Sequence, residues 1–185
     1  MCYLCRMRTL VIYYSKTGST QKYAEEIAQA LKADIVPFKK FNKKMIAQYD
    51  TFIFGARVMG SHICKADQFL MNYELMKDKN IIMFAVGMSV VTSETRKGLI
   101  SGNLLDMYHI RFYQLRGSFN YENLSFIDKL IMNNSFRLIA HDPNASVDQK
   151  SLLSLKETPI IVYDSDGVNK IINIARKIET EVPQA

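Results

Sequence analysis

No stretch of this 185-residue chain approaches the run of about 18 apolar residues that a membrane-spanning helix requires. Near the N-terminus the apolar run covers only Leu10–Tyr14, too short for the core of a secretion signal. These two absences lead to the expectation of a cytoplasmic protein. Cysteine is scarce as well. Of the three, Cys2 and Cys5 form one Cys-x-x-Cys with no second pair and no histidine pair, which does not suit a zinc site, so no metal is expected. A thioredoxin-like redox pair follows a strand, whereas this one precedes the first. Cys64 reads as a small filler at a helix start. Neither Gly-x-x-x-x-Gly-Lys-Ser/Thr nor Gly-x-Gly-x-x-Gly occurs, which disfavours a nucleoside triphosphate loop and a dinucleotide fingerprint. There is no Gly-x-Ser-x-Gly elbow, and His62, His109 and His141 are far apart, so no hydrolytic triad is suggested. No arginine-rich helix or basic strand interleaved with aromatics appears, which argues against nucleic acid.

The composition is that of one globular domain long enough for a real core, with 48% hydrophobic and 23% charged residues. Residues 7–185 are expected to form that domain. Residues 1–6 read as a disordered leader, with Met7 as an alternative start. The net charge is +6. Its cations are dispersed (Lys39-Lys40, Lys43-Lys44, Lys77 and Lys79, Arg96-Lys97) rather than gathered into a polybasic anchor. Such a charge suits an acidic substrate, or peripheral contact with an anionic inner membrane face, by long-range attraction. A basic surface with no specific task fits it equally.

Strand and helix patterns alternate along the chain. Strands are expected at Leu10–Tyr14, 33–38, Thr51–Gly55, Ile81–Val86 and Arg111–Leu115, the last less apolar and at an edge. The first helix spans 19–32, with Tyr23, Ala24, Ile27, Ala28 and Leu31 on one face. Others are expected over 65–77, over 92–107 as a helix broken by Gly98 and Gly102, over 124–139, over 144–156, and at the C-terminus behind Asp166 as its cap. This alternation predicts an α/β fold: a five-stranded parallel sheet in the order 2-1-3-4-5, with helices on both faces. In such sheets ligands bind at the carboxyl ends of the strands, beside the first strand.

The strand ending at Tyr14 runs into Ser15-Lys16-Thr17-Gly18-Ser19-Thr20, and this loop opens the first helix. Hydroxyls, a glycine that admits close backbone approach and the positive end of a helix dipole together make a phosphate site. One glycine among hydroxyls suits a single terminal phosphomonoester, such as that of FMN. A well-capped helix start uses the same residues.

The loop resembles the flavodoxin phosphate loop, Ser/Thr-x-Thr-Gly-x-Thr. Residues 50–62, 117–121, 128–132 and 161–164 are similar to the flavodoxin-domain subfamily that includes the quinone-linked protoporphyrinogen dehydrogenases. The resemblance implies FMN as cofactor, held by Ser15, Lys16, Thr17, Gly18, Ser19 and Thr20 at its phosphate. The strand order brings Ala56, Arg57, Val58 and Met59, Gly87, Met88 and Ser89, and Tyr121 to the ring; Arg57 reads slightly better as the partner of a neighbouring carboxylate, and Tyr121 equally as an ordinary surface aromatic. His62 matches a histidine of that subfamily and is the candidate for proton handling. The subfamily's neighbouring Arg-x-Gly is Met59-Gly60-Ser61 here. Flavodoxin shuttles cover the ring with aromatics from two loops, and here Ala56–His62 and Gly87–Ser93 contain none. An uncovered ring points to an oxidoreductase that passes electrons from a reduced metabolite, such as protoporphyrinogen IX, to a quinone or another small-molecule substrate. The alternative is a carrier that docks a redox protein and has no substrate of its own.

Overall fold

A computed structural model describes residues 7–145, 149–150 and 152–181. The chain divides into two compact units. One comprises the residues up to Arg116 together with those from Asp164 onward, and the other is Gly117–Tyr163.

The larger unit carries the sheet. Its strands are β1 (Thr9–Tyr14), β2 (Asp34–Pro37), β3 (Thr51–Met59), β4 (His62–Ile63), β5 (Asn80–Gly87) and β6 (Arg111–Arg116). Five of them are parallel in the order β2-β1-β3-β5-β6, the flavodoxin-like arrangement expected from the sequence. The short β4 pairs antiparallel with the end of β3. Side chains alternate across each strand, so one continuous apolar sequence feeds two cores. Leu10, Ile12, Phe52, Phe54, Ile81 and Met83 face α2 (Ala66–Leu70), α3 (Tyr73–Met76) and α4 (Ser93–Gly102), and Phe54 stacks on Phe69 at 4.6 Å. Val11, Ile53, Ile82, Phe84 and Leu115 face α1 (Ser19–Leu31) and the last helix, Ser165–Glu181. Gly55 is required where β3 passes Phe84, because a Cβ there would fall inside that ring.

Several local expectations are corrected. The helix expected over 65–77 is two short ones, because the Asn72 side chain donates to the carbonyls of Gln68 and Phe69 and competes with the backbone. The last helix is opened by Asp164, whose Oδ1 accepts from the Gly167 N–H at 2.8 Å, while Asp166 sits in the first turn. The segment expected to be a loop from Ala56 is a continuation of β3 to Met59, closed into a hairpin by Gly60 at φ 63°.

In the smaller unit α5 (Phe126–His141) is capped by Ser125, whose Oγ accepts from the Asp128 N–H at 3.2 Å. Phe119 and Ile160 exchange backbone hydrogen bonds of 2.8 Å in each direction. The helix expected over 144–156 lies partly outside the described residues, and its described end is a 3-10 turn over Leu152–Lys156. Cys2 and Cys5 also lie outside them.

Candidate functional site

The register of the sheet aligns the carboxyl ends of its strands. Tyr14 pairs with Ala56, Arg57 with Val86, and Gly87 with Arg116. With strands about 4.8 Å apart, the loop after β1 and the ends of β3 and β5 share one rim roughly 10 Å across. The rim therefore sets the loop that begins at Ser15 beside the ends of β3 and β5.

The start of α1 bears on both readings of the hydroxyl loop. Gly18 occupies the cap position in the left-handed region, at φ 92°, and, having no side chain, makes no side-chain cap hydrogen bond. The first turn also lacks an acidic residue. Ser15 Oγ accepts instead from the Gly18 N–H at 3.1 Å, which folds the loop back on itself. Space around Gly18 is open: a Cβ built there meets nothing within 4 Å. Lys16 and Thr17 are exposed, Ser15 and Ser19 half-buried and Thr20 buried. The same chain caps α4 with a reciprocal box, Thr92 with Thr95, and α5 with Ser125. An uncapped helix start with room above it and a lysine beside it suits a terminal phosphate.

The end of β3 is a hairpin held from below. Asn103, at the end of α4, accepts from the Ile63 N–H at 2.8 Å and donates to Ser61 O at 3.0 Å and Leu99 O at 2.8 Å. Those contacts fix Met59 and His62, which pair across the hairpin and are both exposed. Arg57 is half-buried, with its Nη2 at 3.4 Å from Met59 Sδ. Nothing in the sequence signals Asn103, which lies 40 residues from Ile63 along the chain. Beyond β5, Met88 is half-buried and Ser89, Val90 and Val91 are exposed. At the start of α4 the Ser93 hydroxyl draws the exposed Glu94 carboxyl below its usual range.

Tyr121 was also expected at the ring. It belongs to the smaller unit, is buried there beside Phe136, donates to Asn133 Oδ1 at 3.0 Å and lies under Lys129.

The larger unit also holds a cleft that the sequence does not announce. It measures about 420 Å³ and is lined by Tyr13, Tyr14, Ser15, Gln21 and residues 37–40, including Lys39 and Lys40. It opens beside the hydroxyl loop. Among the described residues no three His, Cys, Asp or Glu side chains gather as a metal site. No described helix is long and apolar enough to cross a membrane.

An open parallel sheet with a hydroxyl loop beside its first strand defines a doubly wound ligand-binding protein. The model of the flavodoxin domain family matches residues 10–146, and the chain belongs to that family. Among solved structures it is similar to a WrbA-like flavodoxin of Agrobacterium tumefaciens, at 14% identity and TM-score 0.48 over 92% of this chain and 98% of that one. It is also similar to the two-electron reduced flavodoxin of Megasphaera elsdenii, at 20% identity and TM-score 0.47 over 58% and 84%. Flavodoxin 2 of Bacillus cereus is a third, at 17% and 0.46 over 60% and 84%. Family membership rests on the match over 10–146 and not on these likenesses. No curated protein matches the sequence.

Proposed function

We propose that the chain is an FMN-dependent oxidoreductase that passes electrons from a reduced metabolite to a quinone. FMN, when bound, would supply the redox chemistry. The chain's own residues bind and orient it. Ser15, Thr17, Ser19 and Thr20, with the N-terminal N–H groups of α1 and Lys16, hold the phosphate. Gly18 lets the loop close round it. Ala56–Met59 and Gly87–Ser89 would border the ring, and the Arg57 guanidinium would stabilise its reduced, electron-rich form. His62 moves a proton to or from the substrate.

The observation that carries this reading is the glycine at the start of α1, where α4 and α5 begin with side-chain caps. Support for a small planar substrate comes from the rim, where neither Ala56–His62 nor Gly87–Ser93 presents an aromatic ring. A face left bare in this way admits a stacked quinone. A porphyrinogen is the donor class that the sequence resemblance implies, and the +6 charge favours its acidic side chains.

Stopped-flow mixing of the reduced, FMN-loaded protein with a soluble quinone tests the proposal. Reoxidation much faster than that of free reduced FMN is expected. His62→Ala should slow this step by about a hundredfold and leave FMN affinity nearly unchanged. Reoxidation no faster than free FMN, with rapid reduction of a protein acceptor, would replace the enzyme by a carrier.

A further inference from the structure

We infer that the lysines of residues 39–44 form a docking surface for an acidic redox protein. The inference rests on reading the neighbouring loop as a flavin site. The segment Phe38-Lys-Lys-Phe-Asn-Lys-Lys-Met-Ile-Ala-Gln48 contains four lysines and no carboxylate. It is built as two 3-10 turns, Phe38–Lys40 and Lys43–Gln48, and its apolar side chains turn inward. Phe38 packs on Phe54 at 5.7 Å, Phe41 on Phe69 at 5.9 Å, and Ile46 is buried. These anchors fix the backbone, so the lysine stems leave it at set positions.

Lys39, Lys40, Lys43 and Lys44 are all exposed, and among the described residues none makes an ion pair. The carboxylates that flank the segment are engaged elsewhere. Asp34 accepts from Tyr49 at 2.8 Å and meets Arg8, while Asp50 accepts from the Arg8 N–H at 3.0 Å and meets Lys79. The result is a patch of one sign with no internal neutralisation. Lys39 and Lys40 line the cleft that contains Ser15, which sets the patch beside the candidate site.

The chemistry of the patch selects its partner. A lipid surface is held by charge together with inserted apolar side chains, and the segment exposes no large apolar residue. Single-stranded nucleic acid is held by stacking on exposed aromatics, and Phe38 and Phe41 are packed inward. A carboxylate-rich protein needs only the complementary field, which raises its encounter rate and selects its orientation.

Calorimetric titration with a plant-type ferredoxin, a small acidic iron–sulfur protein, tests the surface at low and at physiological ionic strength. A basic cytochrome c serves as control. We expect ferredoxin to bind at low ionic strength, to weaken as salt rises, and to lose roughly tenfold or more in affinity in the variant Lys39→Gln/Lys40→Gln/Lys43→Gln/Lys44→Gln. Changing the four lysines to Glu should transfer binding to cytochrome c. Equal ferredoxin affinity in native and four-lysine proteins would overturn the inference. So would sedimentation with phosphatidylserine vesicles that the variant loses while its ferredoxin affinity stays the same. Titration of the flavin-free chain separates the two proposals. Lysine-dependent ferredoxin binding by a chain that does not take FMN would sink the flavin reading and leave the surface standing.

Discussion

At the scale of the residue, the site depends on which groups reach the loop after β1. Thr17 is exposed and Thr20 is buried, and the proposed phosphate site uses both hydroxyls. Each hydrogen bond to a charged group contributes about 1.5–3 kcal/mol. Thr17→Val/Thr20→Val should therefore weaken FMN by roughly a hundredfold or more. A fluorescence titration reads this directly, and unchanged affinity would move the phosphate elsewhere. The seven-residue pattern Tyr14–Thr20 was legible because phosphate binding needs hydroxyls, one glycine and a helix start in immediate succession. Gly55 and Asn103 were not. Gly55 matters because Phe84 crosses it from the next strand, and Asn103 because it lies under a hairpin 40 residues away in sequence.

At the scale of the element, the ends of helices and strands carry the information. Sequence patterns placed α1, β5 and the C-terminal helix well, since the helices have a strong apolar period and β5 is a continuous apolar run. Boundaries failed where a side chain competed with the backbone, as at Asn72, or where an antiparallel partner prolonged a strand, as at Met59. The hairpin after β3 hangs on Asn103. Asn103→Ala removes three hydrogen bonds and should cost about 1–3 kcal/mol. Hydrogen exchange should show the Ile63 amide opening first, with the amides of β1 and β5 still protected. If all of them open together, Asn103 supports the whole unit. The edge of β6 is closed by side chains: Arg96 donates to Phe112 O at 2.8 Å, Tyr23 to Arg116 O at 2.6 Å, and Asp164 Oδ2 accepts from the Arg116 N–H at 3.5 Å. That is how the unit blunts an exposed strand edge.

At the scale of the whole molecule, two buried phenols link stability to alkaline pH. Burial is the main cause that pushes both Tyr23 and Tyr49 above the ordinary tyrosine value of 10.0, and the Asp34 carboxylate adds to it at Tyr49. The folded state thus holds these protons more tightly than the unfolded chain. Their contribution is complete below pH 10 and is lost as pH rises through the raised folded values. Urea midpoints should fall above about pH 10, and less steeply in Tyr23→Phe. An unchanged slope would remove Tyr23 from the account. The sequence by itself determined the α/β alternation, the strand order and the hydroxyl loop, because apolar period and loop chemistry are written in consecutive residues. It also contained the four lysines of 39–44, but as scattered charge. Only the tertiary structure decided that α1 is left uncapped, that Tyr121 packs inside the smaller unit, and that those lysines stand unpaired beside the site. The first two turn on backbone conformation and packing that residue type alone does not set, and the third on Arg8 and Lys79, distant in sequence, which engage the flanking carboxylates.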